Sequence, residues 1–189
     1  NGINNGGSFT VTGNASVTNA AAVGIASNNS FTAGSVTIDT ITAGPGLNNS
    51  GTMTITGLTS VKNITGSNIS AIQNKNTMTL GDVLVDGVNV TVGTDAEGND
   101  MTNVGNGINN EKNLTVNGTA TITNVFTDKK GNNIGAGLNV IPGAVVNGNG
   151  IYYIAVDNKP VYYSIAASDD DSVVILLGKG GVVAHLTRS

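Results

Sequence analysis

Apolar residues return along the first 148 positions in a fixed order, set among Thr, Ser, Asn and Gly. A small residue precedes an aliphatic one, and six positions later comes a large apolar residue followed by Thr. The pairs are Ile3 with Phe9, Ile25 with Phe31, Leu47 with Met53, Ile72 with Met78, and Ile108 with Leu114. Gly2, Gly24, Gly46, Ala71 and Gly107 stand before the first members; Thr10, Thr32, Thr54, Thr79 and Thr115 follow the second. Successive first members are 22, 22, 25 and 36 residues apart, a period that marks a repeat architecture.

Beyond the second anchor, apolar and polar residues alternate, as in Phe9-Thr-Val-Thr-Gly-Asn-Ala-Ser-Val17 and Met53-Thr-Ile-Thr-Gly-Leu-Thr-Ser-Val61. Period-two alternation is the pattern of a strand with one buried face. A third anchor follows after seven or eight residues (Val17, Ile38, Val61, Val85, Ile122), and Gly at the fourth or fifth place interrupts the run where a corner is needed. Each repeat therefore predicts three short strands. The expected fold is all-β: a parallel β-helix of about 22 residues per coil over residues 1–148. Its five or six coils would form a rod of roughly 25–30 Å at about 4.8 Å per coil. A β-sandwich is the rival, but its strands need not share residue-level spacing through five repeats.

Further expectations follow from this geometry. The Thr column should face outward. The Asn pairs Asn4-Asn5, Asn48-Asn49 and Asn109-Asn110 should occupy corners, because Asn tolerates left-handed backbone, and should stack into side-chain ladders. Extra length should leave as loops near 93–105 and at Asp128-Lys-Lys-Gly131, with a sixth repeat starting at Gly137-Leu138.

Residues 149–189 read differently and are expected to form a C-terminal β cap or coupling element. Ile151–Val156 and Val161–Ala166, around Asp157-Asn-Lys-Pro160, suggest one antiparallel hairpin; Val173–Leu177 and Val182–Leu186 suggest another. Continuous apolar runs imply burial on both faces or against a partner. Because the motif begins at Gly2, the first coil has no visible cap. Either the chain extends upstream or a second copy covers that edge head to tail. The expected subunit-interface residues are Ile3, Phe9, Tyr152, Tyr153, Tyr162, Tyr163, Val174, Leu176, Val182 and Leu186.

Composition narrows the function. Charged residues make up 11% of the chain and aromatics 4%, with no Cys and no Trp. Disulfides and thiolate metal sites are thereby excluded. A net charge of −4 and scattered basic residues argue against a nucleic-acid surface. No run approaches the roughly 18 apolar residues of a membrane-spanning helix.

Candidate chemistry is sparse. His185, the single histidine, lies inside an apolar strand. No Ser sits in a nucleophile-elbow context and no P-loop is present. Asp39 and Asp86 suggest a column, but Val61 is expected between them, leaving them about 10 Å apart, beyond the usual spacing of paired glycosidase carboxylates. Asp95, Glu97 and Asp100 are candidate loop-binding residues; they and Asp169 to Asp171 carry oxygen ligands for a cation, though solvated loop carboxylates account for both groups. Eight Asn-x-Ser/Thr sequons matter only in a glycosylating host. No cofactor or catalytic set is expected.

The strings Leu114-Thr-Val-Asn-Gly-Thr-Ala-Thr-Ile-Thr-Asn124 and Phe9-Thr-Val-Thr-Gly-Asn-Ala-Ser-Val-Thr-Asn19 resemble the repeats of secreted bacterial β-helix adhesins, the passenger regions of autotransporter and two-partner-secreted proteins; phage tail fibres use similar strings. The resemblance covers roughly residues 1–148 and transfers no functional residue. Together these readings lead to an extracellular or cell-surface structural protein, a homo-oligomer stacking head to tail into a fibre. The alternative is a fragment of an adhesin or tail fibre that binds a cell-surface receptor or glycan.

Overall fold

The computed structural model describes residues 1–91, 96–99, 105–126, 136–141, 143–148, 151–156, 164–165, 174–178 and 181–186. The first repeat forms β1 (Ile3–Asn5) and β2 (Phe9–Ala20), and the second β3 (Ile25–Ser27) and β4 (Ser30–Ile41). The third forms β5 (Leu47–Asn49), β6 (Thr52–Ile55) and β7 (Thr59–Gly66); the fourth β8 (Ile69–Asn74), β9 (Thr77–Leu80) and β10 (Val83–Val90). The fifth forms β11 (Gly105–Asn110), β12 (Asn113–Val116) and β13 (Thr119–Phe126), followed by β14 (Ala136–Val140), β15 (Val145–Gly148) and β16 (Ile151–Val156). Three short strands close the sequence: β17 (Ser164–Ile165), β18 (Val174–Gly178) and β19 (Gly181–Leu186). The described residues are all-β, with strands in two curled sheets, one of seven strands and one of twelve, and every pairing is parallel except β18 with β19.

Three ladders set the register. The first aligns Ile3, Ile25, Leu47, Ile72, Ile108 and Leu138. The second aligns Phe9, Phe31, Met53, Met78, Leu114 and Val146. The third aligns Val17, Ile38, Val61, Val85, Ile122 and Ile154. From the second repeat on, these side chains converge on one apolar core and are buried. The small residue before each first anchor has a packing reason. A Cβ on Gly2, Gly46, Gly107 or Gly137 would collide with the third-ladder anchor of its own repeat, Val17, Val61, Ile122 or Ile154.

Several expectations are corrected. In the first two repeats the second and third strands are not separate: β2 and β4 run on for 12 residues each, through Gly13 and Gly34. Later repeats break there, and β4 alone pairs with both β6 and β7. The extra residue of the first repeat is taken up as a bulge between Val11 and Asn14. Beyond residue 148 the repeat persists, because β16 lies parallel to β13 with Ile154 on Ile122. The expected hairpin of 151–156 with 161–166 does not form; β16 and β17 join different sheets. The hairpin of β18 with β19 does form, placing Val174 opposite Leu186 and Val182 opposite Leu177.

The expected left-handed positions also move. Positive φ runs down the column Asn19 (57°), Thr40 (66°), Asn63 (55°), Gly87 (97°) and Asn124 (54°), inside the third ladder. The Asn pairs after the first anchor instead keep strand geometry, and the second member of each, Asn5, Asn49 and Asn110, buries its side chain.

Candidate functional site

The first repeat presents an open edge. Phe9 stacks on Phe31 with centroids 5.6 Å apart and planes 8° from parallel. Phe31 is fully buried, whereas Phe9 is 38% exposed. Ile3 is likewise half-buried while Ile25 beneath it is buried. Strands β1 and β2 each have a pairing partner on one side only, so backbone donors and acceptors line this edge together with apolar side chains.

At the other end, Tyr152 enters the core above Ala120, fully buried and with no hydrogen-bond partner for its hydroxyl. Burial pushes its pKa up. Tyr152 thus belongs to the interior and not to a free face. Tyr153 points outward and is 39% exposed. Val174, Leu176, Val182 and Leu186 come together in the β18–β19 hairpin, with β19 the last strand of its sheet. Tyr162, Tyr163, Asp95, Asp100 and Asp169 to Asp171 lie outside the described residues. Glu97 lies in an exposed turn between β10 and β11.

The expected Asn ladder exists and is internal. Asn49 Nδ2 donates to Asn74 Oδ1 at 2.9 Å, and Asn74 Nδ2 to Asn110 Oδ1 at 2.8 Å. Asn5 opens the column by donating to Ser27 Oγ at 3.0 Å. Each of these amides also reaches the next repeat's backbone: Asn5 to Ser30 O, Asn49 to Thr77 O, Asn74 to Asn113 O and Asn110 to Val145 O, at 2.8 to 2.9 Å. Their Oδ1 atoms accept from the amide two residues on, Gly7, Gly51, Asn76 and Lys112, closing Asx turns at the corner. The column thus satisfies polar groups that the corner would otherwise bury unpaired.

A second amide column runs outside the first ladder. Asn139 Nδ2 donates to Asn109 Oδ1 at 2.6 Å and Asn109 Nδ2 to Gln73 Oε1 at 3.1 Å; Gln73 Nε2 reaches Glu111 Oε1 at 2.7 Å. Next to it lies a groove of about 270 Å³, lined by Pro45, Asn48, Asn68, Gln73, Lys75 and Glu111 among others. The fourth repeat is longer than the third, so β8 begins three residues earlier in register than β5. Pro45, with no N–H, ends the ladder there. Asn48 Oδ1 is buried beside it without a partner. Stacking of the Asn pairs was expected, but neither a separate outer column nor the groove was; Asn or Gln follows every first anchor except Ile25, which precedes Ala26.

Asp39 and Asp86 lie on one outward column, but Lys62 separates them, not Val61. Val61 pairs with Ile38 because the third repeat carries one more residue before its third anchor. Asp39 Oδ1 accepts from Asn63 Nδ2 at 2.8 Å and from Thr40 Oγ1 at 3.0 Å. These bonds, with the Lys62 charge, hold the Asp39 carboxyl below its ordinary pKa. Asp86 accepts from Asn124 at 2.6 Å. Both carboxylates therefore tie neighbouring repeats together at the left-handed corner. Among the described residues, no group of three or more His, Cys, Asp or Glu is placed to hold a metal ion, and no helix is long and apolar enough to cross a membrane.

No protein-family model matches the chain, and neither a curated protein nor a solved structure matches it.

Proposed function

We propose that the chain is a parallel β-helix and serves as a structural subunit of an extracellular fibre, extended end to end by further copies of itself. The observation that carries this reading is the contrast at the open edge: Phe9 is 38% exposed in the position where Phe31, Met53, Met78 and Leu114 are fully buried. The surface that completes such an edge is another repeat, which brings a matching ladder of backbone groups and an apolar anchor in the same register. Parallel strands impose one direction, so the contact is head to tail and open-ended. Asp39 and Asp86 bind corner side chains, so this reading assigns them no catalytic role.

Negative-stain electron microscopy tests this on the full chain beside Phe9→Asp, which sets a charge on the edge without entering the core. Uniform fibres from the parent, absent or shortened in the variant, are the expected result. A monodisperse monomer at high concentration would end the proposal.

One observation favours the alternative, a binding segment of an adhesin or tail fibre that recognises a receptor or glycan. The two longest connections, from Val90 to Gly105 and from Phe126 to Ala136, leave the third ladder and return to the first in neighbouring repeats. Their ends therefore lie at the same corner, with Glu97 on one of them. Replacing residues 94–100 by a short Gly-Ser link should abolish cell or glycan binding and leave the circular dichroism spectrum unchanged.

A further inference from the structure

The outward face of the second ladder carries a chemistry that neither reading uses. Each second-ladder anchor is flanked by two outward residues: Ser8 and Thr10, Ser30 and Thr32, Thr52 and Thr54, Thr77 and Thr79, Asn113 and Thr115. The pairing aligns Thr10, Thr32, Thr54, Thr79 and Thr115 in one column, and Ser30, Thr52, Thr77 and Asn113 in another. From the second to the fifth repeat this register runs without a bulge. Strand geometry then spaces the hydroxyls about 4.8 Å apart along the stack and about 6.6 Å across it.

Three further observations bear on what this array meets. None of the Thr hydroxyls of the two columns hydrogen-bonds another group among the described residues, whereas those of Thr37, Thr40 and Thr123 on the third ladder do. No charged residue occurs in any of the five Ser/Thr/Asn-x-Thr triplets. The corners bounding this face hold only two or three residues in the first five repeats, and the long connections leave elsewhere. The triplet positions are uncharged, bounded by short corners, and covered by hydroxyls without a partner among the described residues, beside methyl groups.

We propose that this face binds ice. Thr is restricted at χ1, and the ladder fixes its backbone, so the hydroxyl net is rigid before any ligand arrives. Waters bridging hydroxyls across that net would be held about 4.8 Å and about 6.6 Å apart, on the scale of the oxygen repeats of an ice lattice. Water-mediated bonds of this kind are nearly as favourable as direct ones, and a rigid template avoids the ordering cost that a mobile surface would carry. Charged side chains would hold hydration shells of their own; the triplets carry none, and Lys75, Asp82, Glu111 and Lys112 stand at the corners beside them. A protein partner would need exposed aromatic or apolar anchors, and a small ligand a concave site; the second to fifth triplets bury their anchors and line no part of the groove described above. The inference does not depend on end-to-end assembly, since a single chain carries the whole array.

The test uses the full chain in ice-recrystallisation and single-crystal thermal-hysteresis assays, with binding to microcrystalline cellulose as a second arm. The parent should halt recrystallisation and shape ice crystals. Thr54→Tyr and Thr79→Tyr, which set a bulky ring in the middle of the hydroxyl array, should lose most of that activity with an unchanged melting curve. Thr37→Tyr, outward on the third ladder, should keep it. A parent without effect on ice overturns the proposal, whether or not it sediments with cellulose. So does equal loss in Thr37→Tyr and Thr54→Tyr.

Discussion

Phe9 and Phe31 hold equivalent places in adjacent repeats and touch each other, yet one is 38% exposed and the other fully buried. Local sequence barely differs: Ser-Phe-Thr brackets both. What differs is the neighbour. Phe31 has the Met53 repeat on its far side, and Phe9 has nothing there among the described residues. A repeat in this fold does not bury its own face; each is completed by the next. The first repeat therefore shows an anchor with a neighbour on one side, and the interior repeats show what a second neighbour adds.

The sharpest way to break this comparison is to truncate both rings. Phe31→Ala should cost about 3–5 kcal/mol, as for a buried aromatic, while Phe9→Ala should cost about 1 kcal/mol, the scale of an aromatic pair. Equal losses in chemical denaturation would mean that burial is not what separates the repeats. Next comes the inner amide column. Asn74 bonds repeats on both sides, whereas Asn5 bonds only the one that follows. Asn74→Ala should cost about 3 kcal/mol, because it leaves buried corner groups unpaired, and Asn5→Ala clearly less. A smaller gain is expected at the left-handed column. Thr40 has φ 66° where the first repeat has Asn19 at 57°, and a β-branched residue is poorly suited there. Thr40→Asn should raise stability by up to about 1 kcal/mol, read as a higher melting temperature.

The smallest effect is a pH dependence. The first repeat has Thr18 where the second has Asp39, whose pKa is lowered in the folded state by Asn63, Thr40 and Lys62. A depressed carboxylate stabilises the fold above its unfolded pKa and loses that contribution as pH falls through the folded value. Stability should therefore drop below about pH 4, by a few tenths of a kcal/mol at this solvent-screened site. Asp39→Asn should flatten that part of the curve, and an unchanged slope would remove Asp39 from the account.

Some of this was legible in the sequence. The three anchor columns were, since only side chains that share one interior must keep the same size and spacing from repeat to repeat; Leu138 could be placed for the same reason. The Asn ladder was legible because paired Asn recurred at one position. The left-handed column was not: Asn, Thr, Asn, Gly and Asn share a backbone conformation but no side-chain pattern. The Asp39–Lys62–Asp86 stack was misread because one residue beside a corner Gly shifts the outward side chains while the buried anchors stay aligned. Strand β16 was misread because Tyr152-Tyr153, with an Asp-Asn-Lys-Pro turn behind them, look like half a hairpin, and the match of Ile154 to Ile122 shows only once the intervening loop is removed. The groove beside Pro45 could not be read, since it arises from a difference in length between two repeats.

The two amide columns run in opposite senses. Inside, Asn49 donates to Asn74 and Asn74 to Asn110, with rising residue number; outside, Asn139 donates to Asn109 and Asn109 to Gln73, against it. Side-chain amides aligned in one file would add their dipoles as peptide units do in an α-helix, leaving unlike partial charges at the two ends. Two files of opposite polarity cancel. Along the described repeats the opposed files offset each other, so neither end of the stack is polarised by its side-chain amides.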